Sequence, residues 1–475
     1  MYAEGMVEIT CPECRQRDAQ IAALQRRVGE LEVSVRELQA CLGRNSSNSS
    51  VPPSANPPSA PAPVVKKPTG KKPGGQPGHP PALRQRLPAD RVHKLHVLTP
   101  THCRRCHAPL PAEAGPNDPE PTWHQVAELP RLPVEITEYQ GCSRTCSGCG
   151  EVTHAAIPAE VKAYSIGPRL AAGLAFLTGR CHLSKRAVEE VVETLFGVPL
   201  ALGTVSHLET QVSAALAAAH AEVAEAVRQA EVKHVDETGW KKAGRICWLW
   251  AAVTRTVALF VVHAGRGASG LEALLGEAVS GILCSDRWRV YERVPVERRQ
   301  LCWAHLKRDF QAMVDRGDKG ADAGANLLAL TSLLFTWWYK VRDGTRTPGW
   351  LQRRIEADLR PDVVAELRRG SVCGCAKTAA TCRELLAWEP ALWTFAYHEG
   401  VEPTNNRAER ALRPAVLWRK RSFGCHSDDG CRFVERLLTV VQTLRLQSRD
   451  VLDYLQAALT AHRSGLPAPK LLNAG

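Results

Sequence analysis

Five short runs rich in Val, Ile, Leu, Trp and Phe follow one another between residues 232 and 303, and two of them end on an aspartate. They are Val232–Asp236, Ile246–Thr254, Val257–His263, Gly281–Asp286 and Gln300–Trp303. Each is too short for a stable helix and carries the β-branched and aromatic residues that suit a strand. Helical patterns at Ser269–Val279 and His305–Met313 interrupt them, so the segment is expected to fold as an α/β core. In an open α/β sheet, ligands gather just outside the C-terminal strand ends. Asp236 and Asp286 are therefore expected to face one site. Two carboxylates placed together repel, and a divalent cation relieves that repulsion. Oxygen ligands of this kind favour Mg2+ or Mn2+ over zinc.

A third acid is available at Asn405-Asn406-Arg407-Ala408-Glu409-Arg410-Ala411-Leu412-Arg413-Pro414. Thr404 or Asn405 can cap a helix start there, with Glu409 one turn in. Asn405 and Arg413 lie four residues either side of Glu409 and share its face. Glu409 can thus close a metal cage while Asn405 or Arg413 touches a phosphate. One strand-end Asp alone is usually a turn residue, and one helix Glu alone is usually solvated. The combination carries the reading.

The rest of the chain is modular. Ile21, Leu24, Val28, Leu31, Val35, Leu38 and Leu42 step by three and four, forming one heptad seam on a short helix. Such a narrow seam predicts a dimerising zipper, and hence a homo-oligomer. From Asn45 to Ala89 there is no Asp or Glu, and Pro, Ser and Gly dominate. This is a linker that cannot build a core. Its Lys66, Lys67, Lys71 and Lys72 can track a phosphate backbone, or serve simply as a soluble tether. Cys103-x2-Cys106 and Cys146-x2-Cys149 offer four thiolates for a structural zinc, with a strand expected between them at Leu132–Tyr139. Cys142, His102 and His107 are spare candidates. Cys11 and Cys14 form a third pair whose metal binding stays open. Leu183–Phe196, the turn at 197–200 and a helix from Thr204 are helix-turn-helix-like, and equally an ordinary helical hairpin.

Charge and cysteine usage narrow the function classes. Lys and Arg number 61 against 49 Asp and Glu, a net charge of +12, which favours a polyanionic partner such as nucleic acid. No apolar run approaches a membrane span, and the N-terminal residues lack a secretory pattern. The 17 cysteines are accordingly read in a reducing cytoplasm, where paired CxxC motifs bind metal more often than they form disulfides.

The ordered motifs resemble the transposases of the insertion-sequence 66 family. They include the zipper, Asn45-Ser46-Ser47-Asn48-Ser49-Ser50, Lys72-Pro73-Gly74-Gly75-Gln76-Pro77-Gly78-His79 and the paired CxxC motifs. The core matches are His234–Trp240, Cys284–Tyr291, Cys302–Phe310 and Asn405–Pro414, followed by Arg419–Gly424. The resemblance implies a DDE catalytic core on a ribonuclease-H-like fold, with Asp236, Asp286 and Glu409 as catalytic triad and a helical insertion before the Glu. It implies metal-dependent cleavage and strand transfer at the ends of an insertion sequence, through two Mg2+ (or Mn2+) ions. Arg413, Arg419, Lys420 and Arg421 would hold phosphates. His305 is read either as a group beside the scissile phosphate or as a packed histidine. Expected partners are double-stranded DNA, from element ends and target, and small accessory transposition proteins. The expected location is the bacterial cytoplasm, at the nucleoid. The alternative is a non-catalytic DNA-binding regulator derived from a transposase.

The expected architecture is multidomain α/β plus α. It runs as a CxxC and zipper segment (1–44), a basic linker (45–89), a zinc module (90–155) and a helix-turn-helix-like region (156–228). The ribonuclease-H-like core follows in two parts (229–310 and 401–445) around a helical insertion (311–400), with a helical tail (446–475).

Overall fold

The computed structural model describes residues 12–42, 44–49, 86–116, 118–128 and 134–472. Lys66, Lys67, Lys71, Lys72 and Cys11 lie outside the described residues, as does the side chain of Cys14. The described residues fall into two compact units. The larger spans Met1–Ala60, Ile136–Thr194 and Val198–Gly475; the smaller spans Pro61–Glu135 with Leu195–Gly197.

The chain opens with α1 (Pro12–Leu42), a single helix whose seven seam residues are all at least half exposed, from 50% at Val35 to 76% at Leu42. A two-stranded antiparallel ribbon, β1 (Ser143–Thr145) and β2 (Val152–His154), follows. The strand expected at Leu132–Tyr139 is not found: described residues 134–139 have no regular structure, having no partner strand to satisfy their backbone. Five helices come next: α2 (Ala159–Lys162), α3 (Pro168–Gly179), α4 (Lys185–Phe196), α5 (Leu202–Ala215) and α6 (Ala217–Gln229).

The α/β core begins at β3 (Val232–Lys242), continues through β4 (Arg245–Val253), β5 (Ala258–His263), α7 (Ala268–Leu275) and β6 (Ile282–Ser285), and reaches β7 (Arg299–Leu301). The sheet order is β5-β4-β3-β6-β7. β3, β4 and β5 form an antiparallel meander, while β6 runs parallel to β3 and β7 parallel to β6. The β3–β4 turn uses Ala243 and Gly244, both at positive φ, as a two-residue hairpin with matching twist requires. Strand β3 runs six residues beyond Asp236, where a strand end was expected. Its antiparallel pairing with β4 continues to Lys242 after its parallel pairing with β6 has stopped at His234. Helix α7 is shorter than its sequence pattern, because Gly276 at φ +86° ends it.

From β7 the chain enters α8 (Trp303–Asp315), then α9 (Ala321–Arg342), α10 (Pro348–Arg354), α11 (Arg360–Ser371), α12 (Ala376–Ala387) and α13 (Thr394–Tyr397). These helices share a buried apolar cluster built on Trp303, Phe310, Leu334, Trp337, Leu359 and Trp393, continuous with Cys284 and Leu301 of the sheet. The chain then returns through α14 (Asn406–Ser422), α15 (Asp428–Leu446) and α16 (Val451–Arg463). Among the described residues no helix is long and apolar enough to cross a membrane.

Helix α15 covers the open edge of β5 with side-chain acceptors. Val262, Phe260 and Ala258 donate their N–H groups to Glu435 Oε1 (2.6 Å), Thr439 Oγ1 (3.0 Å) and Thr443 Oγ1 (3.1 Å). Four residues of helix rise about 6 Å and two residues of strand about 6.6 Å, so the two registers stay in step. An edge that would template another strand is thereby closed. Thr439→Val keeps the volume and removes the acceptor. It should cost about 1–3 kcal/mol in urea unfolding by leaving the Phe260 N–H buried and unpaired; an unchanged midpoint would show that the edge gains nothing from this contact.

Candidate functional site

The sheet register brings the first two acids together. His234 pairs with Cys284 across the parallel β3–β6 ladder. Asp236 lies two residues further along β3, and Asp286 lies two residues beyond Cys284, just past the end of β6. Asp286 Oδ1 accepts a hydrogen bond from Trp288 N at 2.9 Å, which holds the carboxylate as the chain leaves the sheet. The side chain of Asp236 makes no hydrogen bond or ion pair among the described residues.

The third acid is delivered by a side chain that ties α14 to β3. Asn405 begins the helix, but its side chain does not cap it. Instead its Nδ2 donates to Val235 O at 2.7 Å and its Oδ1 lies 3.3 Å from His234 Nδ1, while its backbone N–H reaches Cys302 Sγ at 3.1 Å. Trp303 N donates to Pro403 O at 2.9 Å, joining the start of α8 to the same junction. With Asn405 anchored beside Asp236, Glu409 sits one helical turn further along the same face.

The electrostatics couple Asp236 to its acidic neighbours. Burial is the main reason the Asp236 carboxyl is pushed well above its usual range, and the charges of Glu237, Asp286 and Glu409 add to it; His305 opposes. Glu409 Oε1 lies 3.5 Å from His305 Nδ1 and 3.9 Å from Arg308. Glu409 Oε1 and His305 Nδ1 are nonetheless both buried without a hydrogen bond. At 3.5 Å they attract as charges but do not share a proton with good geometry. Burial pulls His305 down, yet the Cys302 sulfur and Glu409 outweigh it and raise the ring to about 9. Cys302 Sγ, the His305 ring and Glu409 lie within 4.8 Å of one another.

This arrangement fits a hard divalent cation. The charges of Asp286 and Glu409 both reach the Asp236 carboxyl, burial above all pushes that carboxyl toward its protonated form, and Glu409 Oε1 is a buried acceptor without a hydrogen bond. An added double positive charge would satisfy all three conditions. Cys302 brings a soft donor beside Glu409, but its sulfur already accepts the Asn405 N–H.

The sequence reading assigns no role to Glu237, Tyr291 or Arg266, which pack beside the acids. Glu237 has a side chain only 2% exposed; it accepts from Tyr291 Oη at 2.7 Å and pairs with Arg266 at 2.9 Å. Burial raises its carboxyl, and the Tyr291 hydroxyl tempers the rise. Arg266 is held between the rings of Trp248 (4.7 Å) and Trp288 (4.3 Å). Only its adjacency to Asp236 could have drawn notice to Glu237.

The residues expected to touch phosphate divide by exposure. Arg413, Lys420 and Arg421 are exposed on α14. Arg419 turns inward, its guanidinium donating to Thr238 Oγ1 at 3.2 Å and to the carbonyl of Gly239. Asn405 is 1% exposed and holds the β3–α14 junction, so its amide is spent on the fold and not presented to a ligand.

Each CxxC pair, taken in its own unit, forms the same turn. Cys103 N donates to Ala108 O and His107 N to Cys103 O; Cys146 N donates to Glu151 O and Gly150 N to Cys146 O. His107 and Gly150, four residues after the first cysteine, both have positive φ. Backbone N–H groups lower the first thiol of each pair, from Cys106 and then Arg105 at Cys103, and from Cys149 and then Gly148 at Cys146. Thiolates are thus favoured at both turns.

Comparison with known proteins returns two family matches. Residues 164–432, more than half of the chain, match the model described as Transposase IS66 family. Residues 9–85 match a family of unknown function. Over 285 residues the chain is 29% identical to an uncharacterized protein, y4qI, of Sinorhizobium fredii, covering 52% of this chain and 51% of that protein. The chain therefore spans about half the length of the curated relative it matches.

Proposed function

The chain belongs to the IS66 transposase family, and we propose that its three-carboxylate site cleaves DNA at the ends of an insertion sequence and joins the freed strand to a target. The observation that carries this reading is that Asp286 and Glu409 both act on the buried Asp236 carboxyl and help to raise it. We read the sheet as ribonuclease-H-like. A three-stranded antiparallel meander whose first strand is central, flanked by two parallel strands, supports it.

Divalent ions held by Asp236, Asp286 and Glu409 would activate the attacking oxygen and stabilise the leaving one. The protein's own groups do the positioning. Asn405 fixes Glu409 against β3. Arg308 and a charged His305 lie against Glu409 and would hold it toward the other two acids. Tyr291 and Arg266 occupy Glu237, so this fourth acid stays out of the ligand set. Arg413, Lys420 and Arg421 face solvent on the same helix and would grip phosphates. No nucleophilic side chain is required, because water or a DNA 3′-hydroxyl attacks.

The exposed seam of α1 is read as the dimer contact, and Cys103, Cys106, Cys146 and Cys149 as ligands of a structural zinc. Metal analysis of the purified chain should return one zinc per chain, and Cys103→Ser should lose it; metal-free protein of unchanged stability would contradict the zinc reading. The functional test supplies DNA carrying the element's own ends with Mg2+. Cleavage to a 3′-hydroxyl followed by joining is expected. Binding without cleavage would mean a regulator, and cleavage without joining a plain nuclease.

A further inference from the structure

A second basic site lies at the opposite end of the helix that carries Glu409. A cavity of about 370 Å³ opens between the end of α3, the segment after it, and the C-terminal parts of α14 and α15. Phe176, Arg180, His182, Leu417, Arg421 and Arg445 line it, and no acidic side chain does. None of the three guanidinium groups has a hydrogen bond or ion pair among the described residues. Arg180 Nε is buried with no partner.

His182 is the more telling residue. It is 8% exposed, and both of its ring nitrogens are buried and unpartnered. Its backbone is held at φ +60°, a region that costs a non-glycine residue of order 1 kcal/mol and is kept where the surroundings over-determine it. Its ring stacks on Trp418, with centroids 5.7 Å apart and planes 27° from parallel. Trp418 is in turn fixed edge-on by Trp240 and Phe433. The imidazole is thus aimed by packing; the Gly179 carbonyl is the one backbone group that acts on it, and neither ring nitrogen completes a hydrogen bond of good geometry.

The pocket is electrostatically unbalanced. Burial and then the charge of Arg445 lower Arg180; burial and then Arg180 and Arg421 lower His182. Buried polar groups in folded proteins are almost always satisfied, and clustered cations are stable only with an anion among them. Forked guanidinium donors and an imidazole match the oxygens of a phosphate.

We propose that this pocket binds a phosphate group, and that its source is the backbone of the DNA engaged by the carboxylate site. The second clause rests on the transposase reading. Arg421 follows Glu409 by twelve residues on one helix, about 18 Å along its axis, roughly the rise of five base pairs of B-form DNA. Helix α14 would then act as a ruler, with the catalytic acid at one end and a backbone anchor at the other.

The test uses the full chain with Mg2+ omitted, so that binding is read without cleavage. Arg180→Gln and Arg421→Gln are compared with Arg368→Gln, an exposed arginine on α11 that changes net charge equally. Short duplex DNA is titrated at several salt concentrations. Inorganic phosphate is titrated separately against tryptophan fluorescence, with Trp418→Phe as the control that identifies the part due to Trp418. Each pocket variant should bind DNA about 10-fold more weakly, with the slope of log affinity against log salt shallower by about one. Each should also lose the fluorescence response to phosphate, while Arg368→Gln behaves as wild type. If the pocket variants lose the fluorescence response to phosphate but bind DNA as wild type does, the source is a free anion and the DNA assignment is overturned. If the pocket variants match wild type in both titrations, the site itself is overturned. Neither result depends on strand cleavage, so failure here is distinct from failure of the transposase reading.

Discussion

Asp236→Asn, Asp286→Asn and Glu409→Gln are each expected to lose on the order of 10³-fold or more in DNA cleavage and joining, as removal of several kcal/mol of metal-borne charge stabilisation predicts. Metal-free DNA binding should survive in all three. Asp236→Asn carries a second expectation of opposite sign. Its carboxyl is raised well above the ordinary value by burial and by its acidic neighbours. For a raised carboxyl the penalty on the folded state is absent below the unfolded pKa, grows as pH rises, and is complete above the folded pKa. Metal-free wild type at neutral pH therefore carries this repulsion, and Mg2+ removes it. Thermal melts should show wild type stabilised by Mg2+ and by mild acid. Metal-free Asp236→Asn should melt higher than metal-free wild type and respond little to Mg2+. A wild type indifferent to Mg2+ would deny that the acids share a cation.

Asn405→Ala is expected to destabilise the fold by about 2–4 kcal/mol and to depress catalysis beyond what that loss explains. The asparagine is 1% exposed, and its amide satisfies Val235 O and meets His234 Nδ1. Alanine leaves a buried carbonyl unpaired and an empty space at the β3–α14 junction. Because Glu409 lies one turn beyond, a small tilt of α14 moves it away from Asp236, and misplacements of about 1 Å can cost 10²-fold in rate. Urea unfolding and single-turnover cleavage separate the two effects. Normal cleavage in the folded fraction would show that Asn405 holds the fold but does not position Glu409.

The three proposed ligands stand out in the sequence because each sits in a short segment with its own local pattern. Apolar strand runs lead into Asp236 and Asp286, and a polar helix start leads into Glu409. What the patterns could not reveal was direction. Nothing local says that β4 runs antiparallel to β3, so the end of the apolar run at Asp236 looks like the end of the strand. In fact Thr238, Gly239 and Trp240 continue it as one arm of a hairpin. Asn405 illustrates the same limit at longer range. As a residue type before a helix it reads as a cap or a phosphate ligand. Its actual partners, Val235 and His234, lie 170 and 171 positions away and are supplied by tertiary packing. Arg419 likewise belongs to a basic run by composition, yet its position on α14 faces β3. The Thr439 and Thr443 acceptors that close the β5 edge sit in an apolar helix where hydroxyls give no signal of their purpose.

The central claim is that Asp236, Asp286 and Glu409 hold divalent ions between them. Replacing Mg2+ with Fe2+ and adding ascorbate and peroxide generates hydroxyl radicals at the bound ion, which cut the polypeptide close by. Fragments ending near residues 236, 286 and 409, all suppressed together by excess Mg2+, are the predicted result. Cuts confined to one of these positions, or fragments that excess Mg2+ leaves untouched, would contradict a shared site.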